Sequence, residues 1–183
     1  QYLWNPIKWI GNKITFLNAK GLLFIFIPLY FVGIYVQSNM DLLTETWSEF
    51  LPIGFAFIGL VMVFKSFTQR KSIRVSWLLV IMNHFWISLA ISFNEQYDST
   101  ETWLYLSGIV VFGIVGYWCL QRLFTQEGKI TLQRFHGLSE AHPKIALVFL
   151  LACLGLTGFP ISPTFVGEDL IFSHIHEDQF ILA

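Results

Sequence analysis

Charge is scarce in this chain. Asp, Glu, Lys and Arg make up 13% of its 183 residues, against roughly 25% in soluble globular domains. With 55% hydrophobic residues and a mean hydropathy of +0.60, that deficit excludes a soluble fold with an ordinary solvated surface. A net charge of −1 gives nucleic acid no electrostatic reason to bind. Cysteine is nearly absent. Cys119 and Cys153 both lie inside apolar runs and read as small hydrophobes rather than a disulfide or a metal pair. There is no glycine-rich nucleotide loop, no cysteine cluster for zinc or iron–sulfur, and no nucleophile–base pattern. Ser162, followed by Pro163, suits a turn better than catalysis. The expectation is a protein with no catalytic residue, metal site or cofactor, and no redox or hydrolytic chemistry of its own.

Lysine and arginine are also missing from every second loop. Lys8, Lys13 and Lys20 precede the first long apolar run; Lys65, Arg70, Lys71 and Arg74 lie between the second and third; Arg122, Lys129, Arg134 and Lys144 lie between the fourth and fifth. The loops between are acidic, with Asp41, Glu45 and Glu49 in one and Glu95, Asp98 and Glu101 in the other. A chain that crosses a bilayer repeatedly acquires this sorting, because cytoplasmic loops retain Lys and Arg. The reading is a multi-pass protein of the cytoplasmic (inner) membrane, surrounded by lipid. Lys20, Arg70 and Lys129 belong on one face, and Glu45 and Asp98 on the other.

A bilayer core about 30 Å thick needs roughly 20 helical residues, with some tolerance for tilt. Five segments approach this: Gly21 to Val36, Phe50 to Phe64, Val75 to Phe93, Trp103 to Leu123, and Lys144 to Phe159. Trp47, Trp77, Trp103 and Trp118 fall near their ends, at the expected headgroup level. The glycines inside these segments, from Gly54 to Gly155, let helices approach closely. The fold class is therefore all-α, a polytopic transmembrane helix bundle over residues 21–183. Residues 1–20 form an interfacial or truncated segment before it. The chain opens on Gln1 and closes on Phe180-Ile181-Leu182-Ala183, so the expectation is a piece of a longer subunit.

The C-terminal region adds a discontinuous helix. The fifth segment runs into Gly158-Phe159-Pro160-Ile161-Ser162-Pro163, through which no helix continues undisturbed. Helix resumes near Thr164, a possible cap, with Glu168 and Asp169 in its first turns. It should stop by about Ser173 or His174, at the polar stretch Ser173-His174-Ile175-His176-Glu177-Asp178-Gln179. Interrupted helices survive in a bilayer where the break is buried in protein or lines a wet cavity.

The stretch Phe135-His136-Gly137-Leu138-Ser139-Glu140-Ala141-His142-Pro143-Lys144, then Gly158-Phe159-Pro160 and Phe165-Val166-Gly167-Glu168, resembles the antiporter-like, proton-conducting membrane subunits. These occur in respiratory complex I, in multi-subunit cation/proton antiporters, and in inorganic-carbon accumulation complexes. The resemblance is specific from Phe135 to Phe172 and looser from Phe50 onward, where Arg74 and Met82-Asn83-His84 match. It implies that the chain is the second of two inverted repeats, and that Glu168 takes the place of the Lys or Glu in the proton path. Two departures stand out. The segment from Trp103 to Leu123 lacks the family's mid-membrane Lys or His, and Ser72 stands where an acid is usual. These favour a divergent branch, such as a carbon-accumulation complex, over mainstream complex I.

The proton-path candidates are Glu168, His84, Asn83, His174 and His176. An acid at membrane depth is costly and marks an ion or proton path; the bland reading makes Glu168 a water-facing charge on a helix dipole. His84 lies near the centre of the third span, where an imidazole passes protons near neutral pH or merely bonds a neighbouring helix. Asn83 would orient it or hold water. His174 and His176, at i and i+2, do not share a helix face and make a poor metal pair; they serve a hydrated relay or a plain polar loop. His136 and His142 are expected to be solvated. The function expected is proton or cation/proton translocation, coupled to other membrane subunits or to a soluble energy-coupling subunit, with protons or monovalent cations as cargo. That places the chain as a possible translocating subunit of an NADH–quinone oxidoreductase-like or carbon-accumulation complex. A non-conducting membrane anchor and a transporter for a small solute are the alternatives.

Overall fold

The structure, a computed structural model, describes residues 9, 19–42, 44–93 and 98–174. Among these the regular elements are all helical: α1 (Ala19–Gln37), a short 3-10 turn (Met40–Leu42), α2 (Glu45–Thr68), α3 (Ile73–Ile91), α4 (Ser99–Glu127), α5 (Leu138–Ala141), α6 (Pro143–Leu156) and α7 (Pro163–His174).

Three stretches are long and apolar enough to cross a bilayer: Phe50–Thr68, Ile73–Ile91 and Ser99–Glu127. Ile25–Gln37 and Pro143–Leu156 are apolar but shorter. The whole of α1 has 19 residues, so α6, with 14, is the short one and needs a different account. Helix α4 is longer than its apolar core suggests, because its polar ends also fold. Asp98 Oδ1 accepts the Thr100 N–H at 2.8 Å, satisfying one of the first unpaired donors of the helix. Gly128, at φ 73°, turns the chain out of it.

Helix α3 sits in the centre and is buried on two sides. Leu79, Trp86, Leu89 and Ala90 pack with Phe55 and Met62 of α2, with Phe26 and Tyr30 of α1 against the rim. Trp77, Val80, Ile81 and Phe85 turn toward α4, where Tyr105, Leu106, Ile109 and Leu120 meet Leu156 of α6 and Ile171 of α7. Trp77 is 9% exposed, near the start of α3 but turned into the protein. Its indole fills the space beside Gly116, and its N–H donates to the Gly113 carbonyl at 2.9 Å. Two glycines on α4 thus accept one large ring. Trp47, Trp103 and Trp118 are exposed.

The two ends of the bundle differ in charge. At one end Arg70 and Leu132 exchange hydrogen bonds, N–H to carbonyl at 2.9 Å and guanidinium to carbonyl at 3.1 Å. This brings Arg70, Lys71 and Arg74 to the same end as Lys129 and Arg134. At the other end the Gln37 amide donates to the Ser92 carbonyl at 3.3 Å, joining the end of α1 to the end of α3, next to Asp41 and the Asp98 cap. Lys65 belongs to neither loop. It lies in the last turn of α2 and is 6% exposed, where the carbonyl end of the helix dipole favours a cation.

Helices α6 and α7 lie end to end along α4. His142, just before α6, meets Glu127 at the end of α4, at 2.6 Å. Gly155 packs on Phe112, Thr164 on Gly108, and Gly167 on the Tyr105 backbone. Contacts on α4 therefore retreat steadily toward its start as the chain passes from α6 to α7, so both run antiparallel to it. At 1.5 Å per residue, helices of 14 and 12 residues are about 21 and 18 Å long. Neither spans a bilayer alone; together they make one span interrupted at residues 157–162. The discontinuity is thus at the Gly-Phe-Pro-Ile-Ser-Pro turn. The further interruption expected after Ser173 falls at the edge of the described residues, since α7 runs to His174 and residues 175–183 lie outside them.

Candidate functional site

The break is built by a few backbone-directed choices. Gly158 takes φ 72°, and Ile161 takes φ 89°, a conformation that strains a β-branched residue. Pro160 and Pro163 cannot donate to a helix, so the chain turns between Thr157 and Pro163. The cap of the second half is Ser162, not Thr164: its Oγ accepts the Phe165 N–H at 3.2 Å, and its carbonyl accepts the Val166 N–H at 3.2 Å. Pro163 then occupies the first helical position, where its missing N–H costs nothing. Thr164 is inside α7 and 1% exposed, pressed against Gly108 of α4.

Glu168 points back at this break. Side chains on a helix tilt toward its N-terminus, and Oε2 lies 2.7 Å from where a Cβ on Gly158 would stand. The carboxyl group thus occupies space that the glycine vacates. It is half-buried, and no described residue forms a hydrogen bond or ion pair with it. Gly167, its neighbour, brings α7 against the backbone of Tyr105, and Glu168 lies within electrostatic reach of the Tyr105 side chain.

Tyr105 is 8% exposed. Its hydroxyl meets His84 Nδ1 at 2.6 Å across the α3–α4 interface, with ring centroids 6.0 Å apart. Two further hydroxyls, Thr102 Oγ1 and Thr164 Oγ1, are buried without a hydrogen-bond partner among the described residues. Thr102 is three residues before Tyr105, one turn away on the same helix face. The buried seam between α3, α4 and α7 is therefore polar at its middle, where buried polar groups ordinarily require partners.

The sequence candidates divide. Glu168 and His84 are brought to the same seam, where Tyr105 bonds His84 and lies within electrostatic reach of Glu168. Asn83 is not: adjacent helical positions diverge by about 100°, and Asn83 Oδ1 lies against Gly59 of α2, 2.7 Å from that glycine's would-be Cβ. His174 ends α7, its side chain outside the described residues, and His176 lies outside them altogether. His136 and His142 are not free solvated groups: each is half-buried. His136 Nε2 meets the Thr131 backbone at 3.0 Å, and His142 meets Glu127. No group of three or more metal-ligating side chains occurs among the described residues.

Comparison with known proteins bears on the same region. Residues 33–183 match the family described as NADH:quinone oxidoreductase/Mrp antiporter, TM. Over 76 residues the chain is 25% identical to the NADH-quinone oxidoreductase subunit N of Cytophaga hutchinsonii, a match covering 42% of this chain and 17% of that protein. The chain thus spans less than a fifth of that relative's length. No solved structure matches.

Proposed function

Because the chain belongs to the NADH:quinone oxidoreductase/Mrp antiporter transmembrane family, we propose that it moves protons across the cytoplasmic membrane, with Glu168 as the protonatable site. The observation that carries this reading is the Glu168 carboxyl group. It is held against the Gly158 turn, between two halves of one interrupted span, without a fixed partner among the described residues. A carboxylate locked in an ion pair resists protonation; one free of such a lock at membrane depth can gain and lose a proton. His84 provides a second protonatable group in the same seam. Other membrane subunits or a soluble energy-coupling subunit would supply or use the gradient. The inorganic-carbon accumulation complexes remain the branch favoured by the absence of Lys and His from α4.

Glu168→Gln keeps shape and hydrogen-bonding capacity but removes titration. In sealed vesicles containing the intact complex, this variant should assemble normally and lose proton flux. Glu168→Asp should keep part of the flux, since the carboxylate persists on a shorter arm. If the charge merely met a helix dipole, its loss would cost about 0.3–1 kcal/mol of stability and leave flux unchanged; normal flux in the Gln variant would reject the assignment.

A further inference from the structure

The seam between α3, α4 and α7 holds two protonatable side chains that are not bonded to each other, and one buried hydroxyl that bonds the first and lies within electrostatic reach of the second. Tyr105 Oη is at 2.6 Å from His84 Nδ1, a length that marks a strong hydrogen bond. The other ionisable group near the phenol is Glu168, which lies within electrostatic reach of it because Gly167 lets α7 close on the Tyr105 backbone. The two relations have different causes. The His84 contact comes from the packing of α3 on α4; the nearness of Glu168 comes from α7, whose second turn can approach because residue 167 has no side chain. A phenol placed merely to fill the core would need neither. Phenylalanine would pack equally well there, and a buried hydroxyl carries a desolvation cost that is offset when it has a partner.

We propose that Tyr105 is the link through which protons pass between Glu168 and His84. With the His84 ring hydrogen on Nε2, the Tyr105 hydroxyl donates to Nδ1. A protonated Glu168, which is not itself hydrogen-bonded to the phenol, then passes its proton to Tyr105 Oη through one bridging water as the phenolic proton moves to Nδ1. This leaves a Glu168 carboxylate, a neutral tyrosine and an imidazolium. One O–H bond breaks at Glu168 and one forms at Tyr105; the old Tyr105 O–H bond breaks and an N–H bond forms at His84, so charge and protons balance. Loss of the Nε2 proton from the ring completes the transfer. Rotation of the hydroxyl and return of the ring hydrogen to Nε2 reset the link, and the reverse sequence runs equally well. The proton crosses from α7 to α3 without either end group moving, because the phenol is an acceptor and a donor at once. An α4 without Lys or His among its 29 residues thus still takes part in the path.

This inference rests on Glu168 as the proton site, and the experiment separates the two. Proton flux is measured in sealed vesicles of the intact complex for Glu168→Gln, Tyr105→Phe, His84→Gln, and the Tyr105→Phe/His84→Gln double variant, with assembly quantified for each. The expected result is assembled complex throughout, flux lost in Glu168→Gln, and flux down by about 10²-fold in Tyr105→Phe. The double variant should be no worse than its more damaged single, as residues acting in series require. Normal flux in Tyr105→Phe with flux lost in Glu168→Gln overturns the tyrosine link and leaves the glutamate assignment standing. Normal flux in Glu168→Gln overturns both. Additive losses in the double variant also overturn the link, since they place Tyr105 and His84 on separate routes. If Tyr105→Phe fails to assemble, a ring-fluorinated tyrosine at 105 keeps the shape while making the hydroxyl more acidic. Flux in that protein should shift along the pH axis, and an unshifted profile overturns the proposal.

Discussion

Gly158 carries two demands at one position. Its backbone is left-handed, at φ 72°, and the Glu168 carboxyl oxygen lies 2.7 Å from where a Cβ would stand. Alanine there meets both penalties. The left-handed conformation costs a non-glycine residue about 1–2 kcal/mol, and the new methyl group displaces the carboxyl group from the turn. Gly158→Ala is expected to lower the midpoint of thermal unfolding of the purified complex and to reduce proton flux in vesicles. Unchanged flux would show that the seat beside Gly158 is not where Glu168 works. Individual residues were unevenly legible. Glu168 and His84 stand out in sequence because ionisable groups are rare in apolar runs, and both lie in the seam. Tyr105 does not, because tyrosine is common in membrane segments and its partner is 21 residues away on another helix. Asn83 adjoins His84 in sequence, yet helical geometry sends it to α2. Lys65 reads with the basic loop because polar residues follow it, whereas α2 continues to Thr68.

Helix α7 is held to α4 by small residues at the contact. A methyl group on Gly167 would overlap the Tyr105 backbone, and one on Gly108 would meet the Thr164 backbone nitrogen at 2.6 Å. Backbone cannot step aside as a flexible side chain does, so Gly167→Ala must push the two helices apart. Overpacking of this kind costs about 1–3 kcal/mol, and here it also draws Glu168 away from Tyr105. Gly54, also inside a helix, has nothing within 4 Å of its would-be Cβ. Gly54→Ala is therefore expected to fall within about 0.5 kcal/mol of the parent. Thermal unfolding of the two variants in the same detergent compares them directly, and equal midpoints would contradict the close α4–α7 crossing. The elements themselves were largely readable from apolar runs, since length and hydropathy are enough to find a spanning helix. The arrangement of α6 and α7 was not. Gly-Phe-Pro-Ile-Ser-Pro announces a break, but a break is compatible with reversal or with continuation. The choice is made by long-range contacts, Gly155 with Phe112 and Gly167 with Tyr105, which leave no periodic trace in sequence.

Charge sorting fixes how the whole bundle should sit in the membrane. Paired hydrogen bonds between Arg70 and Leu132 tie the two basic loops together at one end. The contact of Gln37 with Ser92 gathers the acidic side at the other. Exposed apolar side chains, among them Phe31, Phe57, Val111, Ile114 and Leu147, lie between the ends, where lipid or neighbouring subunits would cover them. The basic end should face the cytoplasm, because Lys and Arg near span ends are retained on that side. Single cysteines placed at each end test this in intact cells with a membrane-impermeant thiol reagent. Thr100 is the better outer position than Asp98: its side chain is exposed, while Asp98 caps α4 and its loss would cost about 1 kcal/mol. Lys129, exposed in the loop after α4, serves for the inner side. Of the native thiols, Cys119 is buried and Cys153 half-buried, so a parent protein carrying both is the background control. Thr100→Cys should be labelled from outside and Lys129→Cys should react after the membrane is permeabilised. The opposite pattern would invert the bundle and place Glu168, on the half-span running toward the acidic end, nearer the cytoplasm than the outer surface. The direction in which the Glu168–Tyr105–His84 seam connects to water would then reverse with it.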